Sequence, residues 1–257
     1  MIEIRLSTVD RLDEALALPA TAIGLGQEGC LTKLPTNDEL RAAADRVRQA
    51  GREVVVVAPV AWPRTADDLL KRLLAVADDG PTTIAVNDIG TALSLAGHPL
   101  VAGLGLTRSR PHSANQKAGT PPRAGIDAAL MDLLGVQAVE VDTDTEITGA
   151  RWPVRQLVDA IPVGYGRSCP TARRHKTGPP DCRTLCDEPF HLTANARWQL
   201  NHGHREPLPV SLAPPRLTVW GNAVYRTATV DPVADYRIID ARWHTPDGLA
   251  AAVDRHS

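Results

Sequence analysis

The stretch Arg52-Glu53-Val54-Val55-Val56-Val57-Ala58-Pro59 decides the fold. Its four consecutive valines leave no polar face, the mark of a strand covered on both sides, and such strands belong to parallel sheets flanked by helices. Strand and helix signals alternate outward from it. Toward the N-terminus, Thr36-x-x-Glu39 is a capping box. It opens a helix with Leu40, Ala43, Ala44 and Val47 on one face and Gly51 past its end. Residues 21–25 read as a strand, residues 12–18 have helical spacing, and residues 2–6 alternate apolar with charged. Toward the C-terminus, Thr65 and Asp68 are expected to cap a helix that turns Leu69, Leu70, Leu73, Leu74 and Ala77 inward and stops at Gly80. Strands are expected at 82–86, 100–104 and 138–141, and helices at 89–95 and 126–134. Beyond residue 160 the pattern blurs. Residues 154–158 and 217–224 are strand-like, and 236–239 supply the last barrel strand. Thr245-Pro246-Asp247 then starts a final helix with proline at its first position. Over 257 residues this alternation predicts an α/β fold, a modified (β/α)8 TIM-like barrel spanning 1–257 as a single barrel-like domain.

Composition sets the outer limits. Hydrophobic residues make up 43% and charged residues 23%, enough apolar surface to fold and too much for disorder. The net charge of -2 speaks against a sequence-blind grip on nucleic acid. No apolar run approaches the roughly 20 residues that cross a bilayer, and no signal peptide precedes the first strand, so a cytoplasmic location is expected. The polar stretch 107–123, with Pro111, Gly119, Pro121 and Pro122, is longer than an ordinary connection and reads as a lid or a mobile loop.

Four cysteines carry the chemistry. Cys169, Cys182 and Cys186 fall within one 18-residue span, and Cys30 stands apart. A reducing compartment opposes disulfides. Unrelated buried thiols would scatter rather than cluster. Soft thiolates select zinc or an iron–sulfur cluster, and four complete either site. Cys182-x3-Cys186 has the spacing of a zinc knuckle, while ligands from remote loops suit a cube-shaped cluster. Residue types and spacing leave both open. The Cys-x3-Cys-x2-Cys run of radical enzymes is absent, as are Gly-x-Ser-x-Gly and His-Glu-x-x-His.

Gly24-Leu25-Gly26-Gln27-Glu28-Gly29 matches the dinucleotide fingerprint letter for letter. That fingerprint must lead straight into a helix, and here the chain reaches Pro35 first. The acidic residue some 20 positions on would be Asp45, in mid-helix rather than at a strand end. The better reading is a glycine-rich loop at the C-terminal end of a strand, holding Cys30 at the barrel mouth.

Gly166-Arg167-Ser168-Cys169-Pro170-Thr171-Ala172-Arg173-Arg174-His175, followed by Pro180-Asp181-Cys182-Arg183-Thr184-Leu185-Cys186, resembles the signature of the collagenase-like peptidase family. Ile23-Gly24-Leu25-Gly26 through Cys30 is similar to that family's first-cysteine loop. Val86-Asn87-Asp88-Ile89-Gly90 with Pro99-Leu100-Val101-Ala102-Gly103 is similar to its central strand and following turn, and 217–227 to the strand after the cysteines. Within the family the likeness is to the branch serving ubiquinone biosynthesis. It implies a 4Fe-4S cluster held by Cys30, Cys169, Cys182 and Cys186, gathered at the strand C-terminal face with a cysteine-rich segment at 165–190. It further implies a subunit of an oxygen-independent hydroxylase acting on a ubiquinone precursor or similar small molecule, working as a heterodimer with a homologous cluster-bearing protein. Other branches hydroxylate RNA bases, and a structural-metal scaffold without catalysis is the alternative from another class. Proteolysis is not expected, since no nucleophile–base pair stands out.

Around the cysteines, Arg167, Arg173, Arg174 and His175 form a positive patch that can offset cluster charge or hold an anionic substrate, or simply be a solvated turn. Asn87 and Asp88 end a buried strand on the face where barrel enzymes place their chemistry, with helix capping as the competing role. His202 and His204 form a His-x-His pair without an evident third ligand. Trp152, Trp198, Trp220 and Trp243 are scattered, as core or interface residues are.

Overall fold

The computed structural model describes residues 1–107, 128–141, 151–165, 169–178, 182–187, 189–192, 217–228 and 234–257. Two compact units result, Met1–Ile161 with Ala228–Ser257, and Pro162–Thr227. The second unit falls between the seventh and the last barrel strand in chain order. The cysteine-rich segment belongs to that second unit.

The first unit is a closed, all-parallel barrel of eight strands. They are β1 (Ile2–Leu6), β2 (Ala22–Gly26), β3 (Glu53–Val57), β4 (Thr83–Val86), β5 (Leu100–Ala102), β6 (Val136–Val141), β7 (Val154–Leu157) and, after the second unit, β12 (Tyr236–Asp240). β12 pairs with both β7 and β1, which closes the ring. The α/β barrel expected from the sequence is the fold. Helices follow the strands on the outside: α1 (Leu12–Leu16), α2 (Asn37–Gln49), α3 (Ala66–Asp78), α4 (Ile89–Ser94), α5 (Leu104–Thr107), α6 (Ala128–Leu134) and, at the end of the chain, α8 (Pro246–His256).

Local chemistry explains these boundaries. Thr36 and Glu39 form the reciprocal capping box that opens α2, and Gly51 takes a left-handed φ of 69° just beyond it. α3 begins differently from expectation. Thr65 makes no side-chain cap and its hydroxyl turns to the Trp62 carbonyl, while Asp68 accepts from Arg72 one turn on. Residues 100–104 divide into β5 and the start of α5. At the chain's end, Pro246 occupies the first turn of α8 and Thr245 caps it through Gly248 N–H.

Alternation along the strands sorts two cores. Ile4, Ile23, Val56, Ile84 and Val139 face the helices and join the main core. The alternate residues Ala22, Val55, Ala85, Val101 and Ala138, one from each of β2 to β6, form a separate small-residue cluster facing the barrel axis. In β1 the same alternation sends Ile2, Ile4 and Leu6 outward and Glu3 and Arg5 into the barrel. Apolar–charged alternation ordinarily marks a wet face. Here both faces are buried.

The second unit is a four-stranded sheet in the order β8 (Ala160–Tyr165), β11 (Ala223–Thr227), β10 (Leu217–Trp220), β9 (Phe190–Leu192). Its one α-helix among the described residues is α7 (Pro170–His175). Where the sequence suggested one strand over 217–224, β10 and β11 form an antiparallel hairpin. Gly221 opens its two-residue turn with φ 61°, the glycine-first arrangement that suits hairpin twist.

Candidate functional site

Two cysteines, Cys169 and Cys186, meet this hairpin at Gly221, and Cys182 lies beside the second of them. Cys169 is the N-cap of α7, where its sulfur accepts the Ala172 N–H at 3.4 Å. Pro170 follows at the first helical position, where its missing N–H costs nothing. The Cys169 thiol lies 3.5 Å from the Gly221 carbonyl, which also accepts from Thr171 Oγ1 at 2.7 Å. Cys186, on a short 3-10 turn at Arg183–Asp187, comes to the same glycine: a Cβ there would stand 3.9 Å from the Cys186 Cβ. Cys182 opens that turn, and its carbonyl accepts from Cys186 Sγ at 3.3 Å. Both are 2% exposed.

Cys30 belongs to the barrel unit. It is half-buried, in extended conformation after β2, with Sγ 3.0 Å from Thr32 Oγ1. All four cysteines are free thiols. By donor chemistry they suit a cluster: soft sulfur ligands, one already receiving a backbone N–H of the kind that tunes iron–sulfur sites. Each thiol whose contacts are described turns to a protein partner. Among the described residues, no three His, Cys, Asp or Glu side chains gather as a metal-holding set.

The remaining candidates resolve into mostly structural roles. Arg173, Arg174 and His175 are exposed in the last turn of α7, where positive charge complements the helix C-terminus. Arg174 also stacks over Phe190 at 4.7 Å. Asn87 uses both ends of its amide on backbone, donating to Ala58 O at 3.0 Å and accepting from Gly105 N–H at 3.1 Å. It ties the ends of β3 and β4 to the turn after β5. Asp88 caps α4 through Thr91 N–H at 2.8 Å and takes the Ala61 N–H at 2.9 Å. Trp152 packs on the main core beneath the Arg151 guanidinium. Arg167, His202, His204, Trp198 and all of the polar stretch 107–123 beyond Thr107 lie outside the described residues.

A second constellation escaped the sequence reading. Arg5, 1% exposed inside the barrel, donates to Glu3 at 3.1 Å, Glu28 at 2.7 Å and Glu140 at 2.6 Å. Arg155 on β7 also binds Glu3 and stacks over Tyr236 at 4.4 Å. Arg242, just past β12, grips Asp240 and donates to Gln27 at 2.8 Å. Burial alone would raise the Glu3 carboxyl, but Arg5 and Arg155 overcome it and hold it below its ordinary value of 4.5. For Glu140 burial wins over Arg5, and its carboxyl is pushed up. Beside this group, His244 Nε2 stands 2.7 Å from Asp159 Oδ1, and Asp159 Oδ2 accepts the Asp240 N–H at 2.9 Å. The available signal was charge inside strands: Glu3, Arg5, Glu140, Arg155 and Asp240 all interrupt barrel strands.

The glycine-rich stretch serves this network. A Cβ on Gly24 would fall 2.3 Å from Glu3 Oε1, and Gly26 has φ 104° with the Val57 carbonyl 2.7 Å from where a Cβ would stand. Both glycines lie within β2, and the next helical turn is the 3-10 segment Leu31–Lys33. The segment makes room for a carboxylate and turns Gln27 and Glu28 toward Arg242 and Arg5.

No family model and no curated protein matches the chain. Among solved structures it is similar to the U32 peptidase Mk0906, at 14% identity over 93% of this chain and 92% of that one, with a TM-score of 0.49. It is also similar to a thiamine phosphate pyrophosphorylase from Pyrococcus furiosus, at 12% identity over 99% and 95% of the two chains, with a TM-score of 0.44. At these scores neither likeness bears on what this chain does.

Proposed function

We propose that this chain is a 4Fe-4S protein of the UbiV-like kind, one subunit of an oxygen-independent hydroxylase acting on a ubiquinone precursor or similar small molecule. The observation that carries the reading is the convergence of Cys169 and Cys186 on Gly221, inside a segment whose residues resemble the collagenase-like peptidase signature. Cys30, Cys169, Cys182 and Cys186 would supply the ligands, as the resemblance implies. When bound, such a cluster supplies one-electron transfer. The Ala172 N–H would offset thiolate charge at Cys169, and the exposed Arg173 and His175, with Arg167, would hold an anionic group of substrate or partner. Asn87 fixes the strand ends of the barrel mouth rather than meeting substrate.

The partner in this reading is a homologous UbiU-like cluster protein, and the location is the cytoplasm. Among the described residues no helix is long and apolar enough to cross a membrane. Purification without oxygen, followed by iron and sulfide analysis and a visible spectrum, tests the proposal. A brown protein with matched iron and sulfide supports it. Stoichiometric zinc in a colourless protein overturns it.

That outcome would favour a structural-metal scaffold, the reading that suits the buried Cys182-x3-Cys186 pair on one turn.

A further inference from the structure

The barrel interior encloses four carboxyl groups, Glu3, Glu28, Glu140 and Asp240, with three guanidinium groups, Arg5, Arg155 and Arg242. Arg242 is the most exposed of them, with 7% of its side chain accessible. Fully ionised, this set holds one uncompensated negative charge where water does not reach. An unpaired buried charge is among the most unfavourable arrangements a fold can contain, and a carboxyl in that position takes up a proton instead.

The number of guanidinium groups within reach of each carboxyl selects which one. Glu3 is held by two arginines, Arg5 and Arg155. Asp240 is gripped by Arg242 and accepts the Arg242 backbone N–H at 3.0 Å. Glu28 accepts from Arg5 through Oε1; its Oε2, also buried without a hydrogen-bond partner, has the Arg242 Nη2 3.9 Å away as a second guanidinium charge. Glu140 has only Arg5, through Oε1, and its Oε2 is buried without a hydrogen-bond partner.

We infer that Glu140 carries a proton at neutral pH, so that the barrel closes around an electrically neutral interior. The groups facing it are Arg5 and Glu3 on β1, Glu28 after β2, and Arg155, its register partner on β7. From α5, Thr107 contributes a hydroxyl that binds the Glu140 backbone carbonyl and leaves the carboxyl free. Burial pushes the carboxyl above 4.5, Arg5 opposes this, and Glu3 and Glu28 reinforce it. A group raised in the folded state contributes stability that is complete below its unfolded value and lost as pH climbs through the folded one. The barrel is therefore proton-linked: alkali returns the missing negative charge to its interior and loosens it.

Infrared difference spectroscopy on the full chain reads this directly. Wild-type protein at neutral pH shows a protonated-carboxyl stretch that shifts in heavy water, Glu140→Gln lacks it, and the variant loses less stability than wild type on going to mildly alkaline pH. A band that survives in Glu140→Gln and disappears in Glu28→Gln overturns the assignment. If Glu140→Gln does not fold, residue-assigned carboxyl carbon shifts of the wild-type protein give the answer unaided. Glu140 in the protonated range supports the inference, and Glu140 ionised at neutral pH overturns it.

Discussion

Arg5 on β1 reaches between non-neighbouring strands to Glu140 on β6, its Nη2 2.6 Å from the Glu140 Oε1, with both side chains sealed inside the barrel. Because Arg5 also serves Glu3 and Glu28, one guanidinium binds carboxyl groups from three parts of the chain. Arg5→Met fills similar volume but leaves three acids facing one another in a dry interior. Breaking a buried pair by removing one partner costs about 3–5 kcal/mol. Urea unfolding of the variant should show a loss of that size, or no folded protein. A loss within ordinary surface values would mean that water enters the barrel.

Glu3 predicts the acid side of the stability profile. Its folded value lies below the ordinary 4.5, so its contribution is complete above that pH and is lost as pH falls through the lowered value. Wild-type protein should therefore weaken progressively below pH 4.5. Glu3→Gln should start less stable at neutral pH and show a shallower acid decline. Parallel acid limbs for the two proteins would remove Glu3 from the linkage.

Gly24 separates two accounts of the glycine-rich stretch. In a dinucleotide site its replacement would harm cofactor binding. In this barrel a methyl group there collides with Glu3 Oε1, and the strand cannot give way because β2 is hydrogen-bonded to β1 and β3. Gly24→Ala should lower the thermal midpoint by several degrees, consistent with about 1–3 kcal/mol for overpacking a close-packed interior. Added NAD should leave both proteins' midpoints unchanged. Stabilisation of the wild type alone by NAD would revive the dinucleotide reading.

How far the sequence could be read follows from the range of the interactions. Val54 to Val57 and the Thr36–Glu39 box are local signals, and β3 and α2 formed where those signals stood. Thr65 looked like a cap by type alone, but a cap needs backbone geometry that residue type does not report. Arg5 and Glu140 lie 135 positions apart, and their meeting depends on strand register around a closed ring. No window along the chain contains that information. The second unit was hidden for a related reason. Its sheet joins β8 to a hairpin some 60 residues later, through strands as short as Phe190–Leu192, too brief for periodicity to register. Spacing placed Cys169, Cys182 and Cys186 in one short segment, while the role of Gly221 as common ground for Cys169 and Cys186 was not legible.

That glycine gives the last prediction. Cys182→Ala removes one proposed ligand while keeping the 3-10 turn, since the contact from Cys186 Sγ is to the Cys182 carbonyl rather than to its thiol. If the cluster reading holds, the anaerobically purified variant should lose most of its iron and its visible absorption. Gly221→Ala acts without touching a ligand. Its φ of 61° is strained for alanine, at about 1 kcal/mol or more, so the hairpin turn that carries the Gly221 carbonyl must shift, while the added methyl itself fits in ordinary contact with the Cys186 Cβ at 3.9 Å. The variant should hold less iron than wild type and more than Cys182→Ala, in the order of disturbance to the sulfur set. Conversely, full iron retention in Cys182→Ala would strike that residue from the ligands. Equal iron in wild type and Gly221→Ala would show that the hairpin turn does not position Cys169 and Cys186 for metal.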